Sequence, residues 1–220
     1  MPHLMKPLRT MALFLALPLA LALSSYEVAL WPVPAGPVQI GEQTWMDRNM
    51  DVEKFRNGDR IPQAKSAAEW LQAGEAGQPA WCYYEFDAAK GDTYGKLYNW
   101  HAVTDKRGLA PSGWRVPSDA DWVKLLEHLE GESLAGAQLK STSGWSDEGN
   151  GTNESGFGAL PGGGLEGESF NYMGQFGMWW STTPENDVAA WMLILESGSR
   201  VASRSTSAKI HGFSVRYVKE

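Results

Sequence analysis

The clearest helical pattern of apolar and polar positions lies in DADWVKLLEHLE, residues 119–130. Its large apolar residues recur at i, i+3, i+4 and i+7, which places them on one face of a helix. They are Trp122, Leu125, Leu126 and Leu129. Ser118 is a typical N-cap, because its hydroxyl can accept a hydrogen bond from a free backbone N–H. Asp119 and Asp121 add negative charge in the first turn, where the helix dipole favours it. Gly131 is the expected C′ residue.

Weaker patterns predict further elements in the first two thirds of the chain. Alternating residues on both sides of Gly41 and Glu42 predict a hairpin within residues 38–50. Ser66 and Glu69 have the spacing of a capping box, which predicts a short helix over residues 67–73. A first long helix is predicted over residues 96–103, and further helical turns over 134–140. Residues 80–86 are a strand candidate, and residues 87–92 a turn.

The last third of the chain has the pattern of antiparallel strands. They are predicted at residues 177–182, 189–196, 200–205 and 212–218. Strands that follow centrally placed helices indicate an α+β fold with both termini in one sheet. Residues 141–167 are mostly small and polar. This segment is too long for a structureless loop in a compact domain, so it is either functional or an irregular layer.

The N-terminal residues have the features of a signal peptide, predicted as residues 1–25. Lys6 and Arg9 precede an apolar run over residues 11–23 that is too short to span a bilayer. Ala20-Leu21-Ala22 has the small-x-small form of a cleavage site. The alternative is an uncleaved anchor. We expect export, to the periplasm, the cell surface or the medium, with no membrane span after cleavage. Residues 26–37 are a Pro-rich linker, and residues 38–220 form the domain.

Composition narrows the classes of partner. The 220-residue chain has a formal net charge of −7 and a sequence pI near 5.2. Nucleic acids and anionic lipids favour basic surfaces, so neither is an expected partner. The 11 Trp and 24 Gly residues indicate short strands, many turns and a core built from large rings.

Several motifs carry a family resemblance. YGKLYNWHAV, LAPSG and GWRVPSDADWVKL lie in the centre, between IGEQTWMDRNM and FRNGDRIP on one side and GTNESGFGALPGG, MWWST and HGFSVRYVKE on the other. Over residues 38–219 the chain resembles the Fibrobacter succinogenes major paralogous domain. GWRVPSDADW also resembles the GxRLPTEAEWE segment of formylglycine-generating enzymes. Both resemblances imply a C-type-lectin-like fold, with two main helices on a twisted antiparallel sheet and long irregular loops.

Cys82 is the single cysteine of the chain. The resemblance implies a disulfide from this position to a closing-motif cysteine, but Tyr217 stands there. Cys82 is then either buried or a free thiol, and its aromatic neighbours favour burial. Formylglycine-generating enzymes need a pair of active-site cysteines near the C-terminal end. None is present there, so an oxidase of that type is not expected.

Other chemistry-bearing residues give no motif. His101, His128 and His211 lack the spacing of metal ligands. There is no nucleophile elbow, P-loop or dinucleotide fingerprint. Aspartates at turn positions are interpreted as turn formers, because their side chains bond the local backbone. No pair of carboxylates stands out as a glycosidase would require. No catalytic residue and no metal ligand is predicted.

Fold analogy implies a ligand site in the C-terminal half, on the loops and strands there. Its candidate residues are Tyr172, Trp180, Glu185, Asn186, Asp187, Arg200 and Arg204. Trp179 and Trp180 point to opposite faces of a strand, so one is expected at the surface or under the Gly-rich loop. The run Glu185-Asn186-Asp187 resembles the oxygen-rich loops of C-type lectins. It supplies about three of the 6–8 oxygens that calcium needs, so calcium is the only cofactor kept open.

The sequence therefore favours an exported bacterial binding or adhesion module over an enzyme. The expected ligand is a carbohydrate or a cell-surface protein. An enzyme, either a distant formylglycine-type oxidase or a hydrolase, is the alternative. It predicts a reactive thiol at Cys82 or a perturbed pair of carboxylates. A structural module of the cell envelope is the third hypothesis. Oligomeric state stays open.

Overall fold

A computed structural model of the chain describes Met1 and residues 36–220. The predicted signal peptide and linker lie outside these residues, except for Met1, Gly36 and Pro37. Pro37 is the first residue of a strand, so the final linker residue belongs to the folded domain. Within the described residues, no helix is both long enough and apolar enough to cross a bilayer.

The described part of the chain combines five α-helices with short and long strands. The helices are α1 (Ala67–Glu75), α2 (Ala88–Tyr94), α3 (Trp100–Val103), α4 (Asp119–His128) and α5 (Glu132–Leu139). The first strands are β1 (Pro37–Ile40), β2 (Gln43–Met46), β3 (Trp81–Cys82), β4 (Leu97–Tyr98) and β5 (Trp114–Arg115). The later strands are β6 (Gly164–Glu166), β7 (Ser169–Asn171), β8 (Phe176–Pro184), β9 (Ala189–Glu196), β10 (Ala202–Ala208) and β11 (Val218–Lys219).

Two larger sheets organise the domain. The first has the strand order β1-β2-β11-β5, and Val218 pairs with Trp45 on one side and with Arg115 on the other. The second has the order β10-β9-β8, and all of its pairs are antiparallel. The α+β class and the meeting of both ends of the domain in one sheet are confirmed. So is the first hairpin, in which β1 pairs with β2.

Helix α4 forms where the apolar pattern predicts it. Ser118 and Asp121 make a reciprocal capping box: the Asp121 N–H donates to the Ser118 hydroxyl, and the Asp121 carboxylate accepts from the Ser118 N–H at 2.7 Å. The prediction of Gly131 as the C′ residue is wrong. The helix ends at His128 with Leu129 as its C-cap, so Glu130, at φ +67°, occupies C′. Gly131 follows and serves as the N-cap position of α5.

The predicted helix over residues 96–103 is wrong in its first half. Leu97 and Tyr98 pair with Cys82 and Trp81, which makes this part a strand. Only four residues of helix follow, because the Asn99 side chain accepts the Ala102 N–H at 3.0 Å and so fixes the helix start there. The side chain of Asn99 therefore decides where the strand stops and the helix begins.

Other boundaries also differ from the predictions. The strand candidate at 80–86 is reduced to β3 and a 3₁₀ turn at Tyr84–Phe86. The predicted turn at 87–92 is mostly helix α2, because Asp87 accepts a bond from the Ala89 N–H as its N-cap. Strand β10 runs later than predicted. In the last predicted strand, Gly212, Phe213 and Ser214 make single bridges, and only Val218–Lys219 form a regular strand.

The sheet of β8, β9 and β10 is buried on both faces in its centre. Trp179 packs with Trp122 of α4 on one face, and Trp180 packs with Tyr98 and Phe213 on the other. Both indoles are fully buried. Of the two alternatives predicted for one of them, exposure at the surface is wrong, since the sheet has two cores and not one. The other alternative fits Trp179, whose ring contacts Phe157 of the Gly-rich segment.

Residues 141–163, within the predicted irregular segment, form a layer without regular strands. Backbone hydrogen bonds attach it to neighbouring elements, such as Ser141 N–H to Ala159 O at 2.9 Å and Thr152 N–H to Ala137 O at 2.8 Å. Trp145 is buried within it. Gly149 lies so close to the turn after β9 that a Cβ would be 2.2 Å from the Ser197 carbonyl oxygen. This segment is therefore a packed layer, one of the two alternatives predicted for it.

Candidate ligand-binding site

The seven predicted site residues do not form one site. Glu185, Asn186 and Asp187 follow the C-terminal end of β8, whereas Arg200 lies in the turn between β9 and β10 at the opposite end. Phe176 pairs with Glu196 and Pro184 with Ala190. At about 3.3 Å per residue, a nine-residue strand separates these ends by about 26 Å. A small ligand cannot contact both groups.

Trp180 is unavailable to a ligand, which corrects its prediction as a binding residue. Its side chain is fully buried and its indole N–H donates to the Tyr98 carbonyl at 2.9 Å. Tyr172 is 45% exposed and contacts the Phe176 ring edge to face, with centroids 5.1 Å apart. Tyr172 has a left-handed backbone at φ +68°, in the turn that precedes β8. It is the one aromatic candidate that reaches the surface.

The run Glu185-Asn186-Asp187 is an exposed hairpin turn in which three oxygens, the side-chain oxygen of Asn186 and the carbonyl oxygens of Asn186 and Asp187, have internal partners. The Asn186 side chain accepts the N–H groups of Val188 and Ala189, each at 2.9 Å. The Lys209 ammonium donates to the carbonyl oxygens of Asn186 and Asp187. Among the residues that the structure describes, no group of three or more His, Cys, Asp or Glu could hold a metal ion.

The two arginine candidates have different environments. Arg204 forms salt bridges with Asp119 at 2.7 Å and with Glu132 at 3.2 Å, and so ties β10 to α4 and α5. Arg200 is exposed and lines a shallow cavity of about 230 Å³ beside Lys140. The buried Lys140 ammonium donates to three carbonyl oxygens of the β9–β10 turn, at 2.8–3.0 Å. Lys140 and Arg200 therefore both lie at the β9–β10 turn. Arg204 has a structural role, because its salt bridges join β10 to two helices.

A cleft that the sequence reasoning missed is the better candidate. It has a volume of about 420 Å³. It is lined by Arg56, Val103, Thr104, Asp105, Gly108, Leu109, Ala110, Arg115, Val116 and Thr182. The segments FRNGDRIP, YNWHAV, LAPSG, GWRVP and MWWST, which carry the family resemblance, each contribute at least one of these residues. The family motifs were the one signal in the sequence. Their convergence on a single cleft becomes visible only in the folded chain.

The floor of this cleft is apolar and its rim is polar. Val103, Leu109, Ala110 and Val116 form the floor and are buried in the second core. Thr104 is exposed at the end of α3. Arg107 binds the carboxylate of Asp105 at 2.8 Å, and this hydrogen bond lowers the pKa of Asp105.

Arg56 is held firmly at the rim. Its Nε donates to the Ala110 carbonyl at 3.0 Å, and its Nη2 donates to the Trp114 carbonyl at 2.7 Å. Nη2 also lies 3.2 Å from the Glu220 carboxylate. Within the described residues, Nη1 donates no hydrogen bond, and the side chain is 42% exposed. Arg56 therefore has a fixed guanidinium with a free donor.

Arg115 is fixed by a bidentate pair with Asp121, at 2.5 and 2.7 Å. Burial alone would raise the pKa of Asp121, but hydrogen bonds from Arg115 and Ser118 lower it to about 2. The same pair raises the pKa of Arg115. The Arg115 side chain is 43% exposed. Strand β5 and the cap of α4 thus place a second rigid guanidinium at the cleft.

Cys82 is fully buried, as predicted. Desolvation raises the pKa of its thiol, so the reactive thiolate that an enzyme would need is disfavoured. His211 Nδ1 lies 2.8 Å from the Ser207 hydroxyl, and burial lowers the pKa of His211. This contact spans four residues around the turn after β10 and is a local hydrogen bond.

Comparison with known proteins gives one match. The model of the Fibrobacter succinogenes major domain family matches residues 38–219. The matched range includes every residue that lines the cleft. No curated protein and no solved structure matches the chain.

Proposed function

Because the chain belongs to the Fibrobacter succinogenes major domain family, we propose that it is an exported binding module of C-type-lectin-like fold. Its ligand is a carbohydrate that carries a carboxylate, held in the cleft between Arg56 and Arg115. One observation carries this proposal: five separate motif segments converge on a cleft with an apolar floor and two fixed guanidinium groups. The predicted signal peptide supports export.

The size and lining of the cleft suit a small ligand. Its volume of about 420 Å³ falls within the usual range for ligand pockets, roughly 300–1,000 Å³. A sugar ring has C–H faces that can pack on Val103, Leu109 and Val116, and hydroxyls that can bond Thr104 or Thr182. Such sites combine an apolar surface with a few polar groups that fix orientation.

The two arginines favour an acidic ligand over a neutral one. Guanidinium groups match the planar geometry of carboxylates and donate charge-assisted hydrogen bonds. Both side chains are already held by the protein, so binding costs little side-chain entropy. A carboxylate near the free Nη1 of Arg56 would gain a partner without displacing the bonds that position this side chain. A cell-surface protein with an exposed carboxylate is the alternative ligand.

A glycan array tests the proposal, with the protein screened in calcium and in a chelator. We expect acidic glycans to bind about tenfold or more tightly than their neutral counterparts, since a charge-assisted hydrogen bond contributes about 1.5–3 kcal/mol. Loss of signal in the chelator would place calcium in the site. An array without any specific signal would contradict the carbohydrate proposal and favour the protein ligand.

A pair of matched variants locates the ligand. Thr104→Trp places a large ring over the cleft from an exposed position, whereas Lys106→Trp adds the same ring at an exposed position that does not line it. We expect Thr104→Trp to weaken glycan binding at least tenfold and Lys106→Trp to leave it unchanged. Equal binding by both variants would show that the ligand lies elsewhere.

A further inference from the structure

Lys96 is a buried lysine with two carboxylates at its amine. Its side chain is 2% exposed. The Nζ atom contacts Oδ1 of Asp51 and lies 3.7 Å from Oε1 of Glu53. The rings of Trp81 and Tyr83 form the remaining walls, with centroids 4.6 and 5.0 Å from Nζ. One nucleophile therefore faces two carboxylates beside aromatic surfaces.

The backbone holds these groups together. The Lys96 N–H donates to the Met50 carbonyl at 3.3 Å, and Nζ donates to the Asp51 carbonyl at 3.3 Å. At Gly95 a Cβ would lie 2.9 Å from the Met50 oxygen, so glycine permits this close approach. The Tyr98 hydroxyl donates to the Val52 carbonyl at 2.7 Å, which fixes the residue between the two carboxylates. The fold thus holds the side chains of Lys96 and Asp51 in contact.

We propose that Lys96 and Asp51 condense to an intramolecular amide, with Glu53 as the proton carrier. Proton transfer within the ion pair gives a neutral amine and a protonated carboxyl. The amine attacks Cγ of Asp51, and a new N–C bond forms. Glu53 accepts a proton from Nζ and returns it to the departing oxygen. One C–O bond breaks, one water molecule leaves, and Glu53 is regenerated. No oxidant, reductant or co-reactant is consumed.

Proximity is the main driving force for this reaction. Groups held in contact can react with effective concentrations of about 10⁵–10⁸ M, which offsets the cost of condensation in water. The rings of Trp81 and Tyr83 shield the amine from bulk water, and the Lys96 side chain is only 2% exposed. The side chains of Asp51 and Glu53 are 58% and 54% exposed, so the released water has a path to solvent.

The amide would give the domain a covalent crosslink that does not depend on redox conditions. The chain has a single cysteine and therefore cannot form an internal disulfide. A bond from residue 51 to residue 96 closes the part of the chain that contains α1, β3 and α2. For a protein outside the cytoplasm, this bond would resist both reduction and oxidation.

Peptide mass spectrometry tests the proposal on the purified full chain after several days at 37 °C and mildly acidic to neutral pH. Trypsin normally cleaves after Lys96. We expect instead a branched peptide that joins residues 49–54 to residues 91–106, lighter than the two peptides together by one water molecule. Cleavage at Lys96 and unlinked 49–54 peptide throughout the time course would overturn the proposal.

Three variants identify the chemistry. Lys96→Arg removes the nucleophile and should give no branched peptide. Asp51→Asn should give the same branched peptide as the wild type, because ammonia then leaves in place of water. Glu53→Gln should slow the appearance of the branched peptide at least tenfold. If Glu53→Gln reacts at the wild-type rate, Glu53 is not the proton carrier. The wild-type result does not depend on whether any variant folds.

Discussion

At the scale of single residues, Asp121 links the capping of α4 to the cleft. Its carboxylate accepts hydrogen bonds from Ser118 N–H and from both amino groups of Arg115. The sequence predicted its place in the first turn of the helix, because capping is a local interaction. The pair with Arg115 could not be predicted, since it depends on how β5 enters the helix. Asp121 therefore has two structural roles, the reciprocal cap of α4 and the pair with Arg115, whereas the sequence predicted only its negative charge in the first turn.

This pair predicts acid sensitivity. The pKa of Asp121 is about 2 in the folded protein, below its ordinary value of 3.8. A depressed pKa contributes stability that is present above pH 3.8 and is lost as pH falls through about 2. We expect a loss of about 2 kcal/mol in unfolding free energy between pH 5 and pH 2 from this group. Urea titrations across this pH range measure it.

Asp121→Asn tests the ion pair. Its control is Asp92→Asn, at an exposed position in α2. Asp121→Asn should be less stable than the wild type at pH 6, and the difference should shrink toward pH 2. Asp92→Asn should follow the wild-type curve. A difference between the wild type and Asp121→Asn that stays constant with pH would contradict the role assigned to this ion pair.

At the scale of secondary-structure elements, α5 shows how packing overrides helix propensity. Gly136 is a buried residue inside the helix. A Cβ at this position would lie 2.6 Å from the carbonyl oxygens of both Arg200 and Val201. The helix and the turn before β10 are therefore in close backbone contact. An alanine would make the isolated helix more stable by about 1 kcal/mol, but it does not fit here.

We expect Gly136→Ala to lower the free energy of unfolding by about 1–3 kcal/mol, because the turn must move to accept the methyl group. Ser133→Ala, at an exposed position of the same helix, should have an effect below about 0.5 kcal/mol, in the stabilising direction. Thermal unfolding of both variants measures the two effects. A stabilised Gly136→Ala protein would show that this contact is looser than described.

Elements with local signals were predicted well. Helices α1 and α4 have capping side chains and a local apolar pattern, and both formed where expected. The helix predicted over residues 96–103 was wrong in its first half, because β4 is defined by its pairing with β3, which is not adjacent to it in the sequence. The burial of both Trp179 and Trp180 could not be predicted either. Alternation along a strand shows that two side chains diverge, but not that both faces are covered.

At the scale of the whole molecule, Arg216 connects segments that are far apart in the sequence. It is 1% exposed, and its Nη1 donates to the carbonyl oxygens of Met46 and Phe157 at 2.9 and 2.5 Å. Its Nη2 donates to the Asn49 side chain, which also accepts the Trp179 indole N–H. Desolvation lowers the pKa of Arg216 to about 9. The closing motif is thereby joined to the first hairpin, to the irregular layer and to β8.

Arg216→Lys should lower the free energy of unfolding by about 3 kcal/mol, since one ammonium cannot reach acceptors that the guanidinium meets with two nitrogen atoms. Arg60→Lys, at an exposed position, is the control and should change it by less than about 0.5 kcal/mol. Chemical denaturation compares the two. If Arg216→Lys were as stable as the wild type, an ammonium could replace the buried guanidinium.

The cleft also belongs to this scale, which is why sequence reasoning did not find it. Its lining residues come from segments between Arg56 and Thr182, and none of them has a motif for binding. Fold analogy pointed to the C-terminal loops, and the residues that it implied lie at opposite ends of β8. Of the residues named there, Tyr172, Glu185, Asn186, Asp187 and Arg200 lie at the surface. Only the tertiary structure determines which residues line the same cavity.

The position of β11 has a consequence for biosynthesis. This strand lies between β2 and β5, so the β1–β2 hairpin and β5 cannot be joined into one sheet until residues 218 and 219 are available. A ribosome delivers the chain from its N-terminus. Strand β2 can pair with β1 at once, but its second partner, β11, lies almost the whole length of the domain away. Contacts of such long sequence separation form slowly. We therefore expect the first sheet to be completed only after residues 218 and 219 have been translated.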